Sequence, residues 1–246
     1  MTLQIKVLGP ELEGIAADLR GIAWRPNYRV KLPADSSVIR FGDSRTHGAI
    51  MRAIRKAERS GVVVRRAESE DDLRLWYPLY LRAMRAGVVL PRPYRFFEQL
   101  WRTVALREMG YLLLAEIPNG GSTTLIAGSL YLQFGGTVFY AFNGRRAEYL
   151  GARPNEAIHW HAIQQACRAG LQWYDLGEAD EGSSLAAFKA KWATHREMLM
   201  RYYYPAPEDE GSASGPGWAR QLAKGAWRHL PLGLTAFAGT RASRFL

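Results

Sequence analysis

Residues 137–192, TVFYAFNGRRAEYLGARPNEAIHWHAIQQACRAGLQWYDLGEADEGSSLAAFKAKW, decide the fold. The block that starts at Thr137 is aromatic and β-branched between Gly136 and Gly144, the composition of a strand. After Pro154 the apolar residues recur at helical spacing. Ile158, Ala162 and Ala166 form one stripe, with Trp160, Ile163 and Cys167 beside it. Asn155 reads as the N-cap of that helix and Gly170 as the residue that ends it. Leu171–Leu176 returns to strand, and Ser183 or Ser184 caps a second helix carrying Phe188, Lys189, Lys191 and Trp192. Strands joined through a crossover helix pair in parallel. Ligands of such sheets sit at the carboxyl ends of the strands. Here those ends are 143–153 and 177–184, and both are polar and charged.

Outward from this stretch, the chain has 246 residues, 48% hydrophobic and 12% aromatic, enough for one large domain with a sizeable core. Its formal charge of +10 points to an anionic partner such as nucleic acid, CoA, a nucleotide-sugar or a membrane surface, against the plainer reading of a basic solvated surface. The single cysteine, Cys167, excludes an internal disulfide and fits a reducing cytoplasm. It falls on the predicted helix, which favours a core role over a nucleophile. The first residues show no apolar run of signal length, and no run is long enough to span a membrane. A cytoplasmic location is therefore expected.

In chain order, Leu3–Leu8 and Trp24–Leu32 read as strands without evident chemistry. Residues 47–59 form a basic amphipathic helix, read as a solvated face ahead of a phosphate-contacting one. Gly61–Arg66 is a strand. Ser69 then starts a helix faced by Leu73, Trp76, Tyr77, Tyr80, Leu81 and Met84, with Pro78 predicting a kink or break. Tyr94–Glu108 is a further helix. Three strands follow in quick succession, 111–117, 125–134 and 138–142, joined by Gly-containing turns that predict antiparallel hairpins. Met198–Tyr204 is a last strand. The stretch 206–217 is a linker by composition, and 218–246 is a basic tail with scattered apolar residues that docks on the core or on a membrane surface.

The order predicts an α/β (α+β) fold: a mixed sheet whose antiparallel meander turns parallel, with flanking helices. It is the order of the GNAT acyltransferase fold. The segments IRKAERSGVVVRRAESEDDLRLWYPLY, AGSLYLQFGGTVFYAFNG, RPNEAIHWHAIQQACRAGLQWYDLGE and LAAFKAKW resemble the Fem-type (FemABX) branch of that superfamily and its acetyltransferase relatives. The resemblance covers roughly 54–204, and the combination of PN-x-x-x-x-W, YDLG and FK-x-K carries it. It implies acyl transfer to an amine. The acyl group comes from aminoacyl-tRNA in Fem-type enzymes, which act on a peptidoglycan-precursor peptide or related peptide. It comes from acyl-CoA in the acetyltransferase relatives, with an amino sugar or other small amine as acceptor. By the same resemblance, 1–53 is the stub of a first GNAT-like half and 54–205 the acyltransferase domain. The usual acyl-CoA loop, Q/R-x-x-G-x-G/A, is absent, since Glu148 stands where Gln or Arg belongs relative to Gly151. The long helical arm of many peptidoglycan-bridge enzymes has no room either.

Acylation of an amine passes through an oxyanion, so it needs positive charge or N–H donors there and relief of a proton from the attacking ammonium. By resemblance, Lys189 supplies charge near the acyl donor, with Phe188 lining the channel and Lys191 beside it. Read alone, Lys189 is one more solvated lysine. Asp175 is a structural acceptor for loop N–H groups or a proton acceptor, the structural role being favoured, and Glu178 is the better-exposed base. Tyr140 and Asn143, at the end of the central strand, are polar groups for the acceptor. Arg153, beside the helix start at Asn155, suits a phosphate. His159 is either a base near the helix start or an ordinary surface histidine. A zinc site with His161 fails, because residues two apart do not share a helix face. A second class of function is a non-catalytic module that holds an anionic polymer through residues 52–59 and the tail.

Overall fold

The computed structural model describes residues 3–16, 18–105, 107–204 and 225–242. The linker 206–217 and the ends of the tail lie outside these residues. Eight strands form one sheet: β1 (Leu3–Leu8), β2 (Arg20–Lys31), β3 (Val63–Arg66), β4 (Gly110–Asn119), β5 (Ser122–Phe134), β6 (Thr137–Arg145), β7 (Trp173–Glu178) and β8 (His195–Tyr204). Their order is β1-β8-β2-β7-β6-β5-β4-β3. Every neighbouring pair is antiparallel except β6 and β7, the pair joined by the crossover helix. The meander and its parallel turn thus match the sequence reading. The stretch 1–53 supplies β1 and β2 to this same sheet, β2 lying between β8 and β7.

Helices cover both faces, which is why Leu112, Leu113, Leu114 and Ala115 are all fully buried in one unbroken apolar run. On one face lie α1 (Ser44–Arg59), α4 (Pro154–Arg168) and α5 (Ser184–Trp192), packed on a core that includes Phe41, Ile54, Ile158, Ala162, Tyr174 and Trp192. On the other lie α2 (Glu70–Gly87), α3 (Tyr94–Ala105) and α6 (Leu232–Ala242), around Trp76, Tyr80, Phe97 and Leu130. The tail docks on this core through Leu232 and Ala236, and Arg85 donates to the Leu230 carbonyl at 2.9 Å. No helix among the described residues is long and apolar enough to cross a membrane.

Two local readings change. Helix α2 runs unbroken through Pro78. Pro78 lies on the exposed side with Arg74 and Leu75, so water can satisfy the carbonyl that loses its partner, while Trp76, Leu79 and Tyr80 clamp the helix from the buried side. The cap of α4 is Arg153, with φ +60°, not Asn155: Pro154 takes the first helical position, where its missing N–H costs nothing. Ser69 and Ser183 cap α2 and α5 through their side chains, as expected.

Arg65 on β3 ties the sheet to α2. Its guanidinium forks onto Asp72 at 2.7 and 2.9 Å and reaches Glu116 at 2.9 Å. The Arg65 hydrogen bond holds the Asp72 carboxyl below the usual carboxylate range. A carboxyl depressed in the folded state adds stability above its unfolded pKa of about 3.9 and loses it as pH falls through the folded value. Arg65→Met should therefore cost about 1–3 kcal/mol at neutral pH, discounted for the partly exposed guanidinium. In urea titrations the gap to the parent should narrow as pH drops from 5 toward 3; a gap that is constant with pH would contradict this.

Candidate active site

Strands β6 and β7 are hydrogen-bonded only from Thr137↔Trp173 to Phe139↔Asp175. Beyond that point β6 stays with β5 as far as Arg145, and β7 stays with β2 as far as Glu178. The two strands splay, and the gap between them is an open cleft at their carboxyl ends. One compartment, about 340 Å³, is lined by Tyr140, Asn143, Arg145, Leu150, Arg153, Asn155, Glu156, His159, Leu176, Ser184, Leu185, Phe188 and Lys189. A second, about 450 Å³, is more apolar and lies under the end of α2, the 89–92 loop and α6. The compartments share Tyr140, Asn143, Leu185 and Lys189. Gly144 brings β6 close enough to α2 to wall the cleft: a Cβ there would stand 2.3 Å from the Tyr80 backbone nitrogen.

Lys189 is buried on the cleft side of α5, and its Nζ donates to the Glu178 carbonyl at 2.8 Å. That carbonyl is presented by a turn in β7 at Gly177, whose φ of +78° suits glycine. Burial pushes the Lys189 ammonium down to about 8, with the Asp175 and Glu178 charges opposing. Asp175 is buried and accepts from the Asn27 amide at 2.9 and 3.1 Å and from the Gly177 N–H at 2.6 Å. Burial pushes its carboxyl up, and those hydrogen bonds pull the other way. Its contacts are those of a structural acceptor that fixes the turn beneath Lys189.

The structure brings Tyr140, Asn143, Arg153, Asn155, His159, Phe188 and Lys189 to one compartment. It places three expected residues elsewhere. Glu178 is not a free base, because its carboxylate is engaged by Lys6 at 3.1 Å and by the Trp24 indole at 3.2 Å. Lys191 is exposed and lines neither compartment, being two residues from Lys189 on a helix. Asp175 lies behind the wall rather than on it. His159 is not a surface histidine: it is 1% exposed, enclosed by Tyr140, Tyr174, Phe188 and Trp192. Burial, and then the Lys189 charge, push it down to about 3. Burial also raises the Tyr140 hydroxyl to about 12, so it is a protonated donor at neutral pH.

Residues missed in the sequence are Glu156, Arg145 and Asn27. Glu156 was legible as a carboxylate in the first turn of α4. Asn27 was not, because its partner is 148 positions away on a strand whose register the sequence does not state.

Residues 44–190, more than half of the chain, match the acetyltransferase (GNAT) domain family. Among solved structures, FemX matches with a TM-score of 0.62 at 15% identity, over 89% of this chain and 68% of that one. L-PGS from Bacillus licheniformis matches with a TM-score of 0.55 at 11% identity, over 90% and 71%. A conserved protein of unknown function from Bacteroides thetaiotaomicron matches with 0.55 at 10% identity, over 81% and 69%. At these identities the likeness is one of fold. No match was found among curated proteins. With a mixed sheet that splays at β6 and β7 and a buried lysine in the opening, the chain belongs to the GNAT acetyltransferase-domain family and is an acyltransferase on a fold like that of FemX.

Proposed function

We propose that the chain transfers an aminoacyl group from aminoacyl-tRNA to an amine of a peptide, of the kind found in cell-wall precursors. The observation that carries this reading is the start of α4. A CoA donor would place its pyrophosphate on bare N–H groups at such a helix start. Here Pro154 removes one of those N–H groups, and the Glu156 carboxylate stands in the first turn, 3.3 Å from Arg153. A diphosphate at this spot meets a negative charge, so the residues fit the CoA pyrophosphate poorly. An aminoacyl ester fits better. Its α-ammonium pairs with Glu156, and the single phosphodiester of the terminal nucleotide meets Arg145 or Arg153, which line the same compartment. The acceptor amine then enters through the second compartment and meets the ester at Lys189. The Lys189 ammonium stabilises the oxyanion as the carbon–nitrogen bond forms. On collapse the ester carbon–oxygen bond breaks, and the proton lost by the amine ends on the leaving oxygen.

The family's own description as acetyltransferases favours a second reading, transfer from acetyl-CoA to an amino sugar or other small amine. The two separate in one assay: charged tRNA, labelled one amino acid at a time, or labelled acetyl-CoA, offered with peptide and amino-sugar acceptors. The proposal expects label from charged tRNA alone and a raised KM for that donor in Glu156→Gln. Label from acetyl-CoA alone overturns it.

A further inference from the structure

His159 has one ring nitrogen tied and one free. Its Nδ1 is hydrogen-bonded to the Tyr174 hydroxyl, which lies 3.3 Å from the Tyr131 hydroxyl. Both tyrosines are fully buried. Nε2 has no protein partner among the described residues, and the ring lines the cleft. A phenol is a stronger donor than a neutral imidazole, and an imidazole nitrogen is a stronger acceptor than a phenol oxygen. The protons therefore run one way along the chain, Tyr131 to Tyr174 to Nδ1, and the imidazole proton is left on Nε2. Tyr140, Phe188 and Trp192, with ring centroids 4.7, 5.5 and 5.3 Å from the imidazole, hold it against rotation.

We propose that His159 presents Nε2–H to the cleft as a hydrogen-bond donor to the oxyanion of acyl transfer, opposite Lys189, and that Tyr174 is the positioning residue that fixes this tautomer. The role rests on the acyl-transfer reading and holds for an ester or a thioester donor. The attacking amine bonds to the carbonyl carbon, the π pair moves to oxygen, and Nε2–H and the Lys189 ammonium both donate to that oxygen. His159 neither gains nor loses a proton. Burial, and then the charge of Lys189, which lines the same compartment as do Arg145, Arg153 and Glu156, keep the ring neutral, so it donates over the whole working pH range. An imidazole this hard to protonate is a poor base, which separates the proposal from the base role that sequence position suggested.

The tautomer is read directly from the ¹⁵N shifts of the His159 ring, without any substrate. The expected result is Nε2–H in the parent, unchanged between pH 5 and 9, and a mixture of tautomers in Tyr174→Phe. With either donor, His159→Leu should lower kcat by about 10²-fold, the loss typical of one oxyanion donor. Tyr174→Phe should lower kcat with little change in KM. If Tyr174→Phe fails to fold, Tyr131→Phe removes the far end of the relay and should shift the same tautomer ratio. A proton on Nδ1 in the parent, or titration of the ring near neutrality, overturns the proposal. So does a Tyr174→Phe variant with parental tautomer and kcat. A chain with no turnover on any donor overturns the acyl-transfer reading instead, whatever the tautomer.

Discussion

Lys189→Met lowers kcat by about 10²–10³-fold, the range for loss of a preorganised group that meets developing charge in a water-poor site. Methionine keeps the length of the side chain and removes only the charge and the donor. The fold should survive, since the lysine is a buried charge whose Nζ has, among the described residues, the Glu178 carbonyl as its hydrogen-bond partner. The pH behaviour separates this role from a merely structural one. With its ammonium pushed down to about 8, the acting form of Lys189 is lost as pH rises through about 8, so kcat/KM of the parent should fall there. The profile of Lys189→Met should lack that limb. The stability signs run the opposite way. A lysine whose folded pKa is depressed costs stability while it is charged, and the cost is relieved as pH rises from about 8 toward its unfolded value of about 10.4. That upward slope should be absent in urea titrations of the variant.

Trp76→Ala costs about 3–5 kcal/mol, the range for emptying a buried aromatic site. Trp76 is fully buried at the centre of the α2–α3 side, with ring centroids of Tyr80 and Phe97 at 5.4 and 5.2 Å. Its indole N–H donates to the Gly128 carbonyl at 2.9 Å, and a Cβ on Gly128 would stand 2.6 Å from its Cδ1, so helix and sheet are fitted to each other at this point. Truncation leaves a cavity and removes the indole's hydrogen bond to that carbonyl. The loss should appear as a drop of about 6–20 °C in Tm, by the usual scaling for a domain of this size. Activity should fall too, because α2 also walls the cleft through Tyr80 and Met84. A Tm within 2 °C of the parent would contradict this account of the core.

How much of this was legible follows from the range over which each interaction acts. The strands and helices of 137–192 were, because strand and helix periodicities are local and Gly136, Gly144 and Gly170 punctuate them. That Tyr140, Asn143 and Arg153 would meet followed from one rule about the carboxyl ends of parallel strands, whereas Lys189 was assigned only by the family resemblance. What failed was long-range or decided by burial. Glu178 looked like a free base until Lys6, 172 positions away, took its carboxylate. Nothing in the local pattern around His159 announces Tyr174 or Trp192 as its walls; only the folded packing, which sets the ring against Tyr174 of β7 and Trp192 of α5, does. Pro78 read as a kink or a break, and the helix is not broken because that side faces water, which the sequence could not say.

The central claim is that the acyl group reacts in the gap where β6 and β7 part. The measurement that tests it most directly is a crystal structure of the chain with a non-hydrolysable aminoacyl-adenosine, its ester replaced by a 3′-amide. The account predicts the amide carbonyl between Lys189 and His159, the α-ammonium on Glu156, and the nucleotide directed toward Arg145 and Arg153. An analogue bound elsewhere on the molecule, with the β6–β7 opening left empty at saturating concentration, would contradict it.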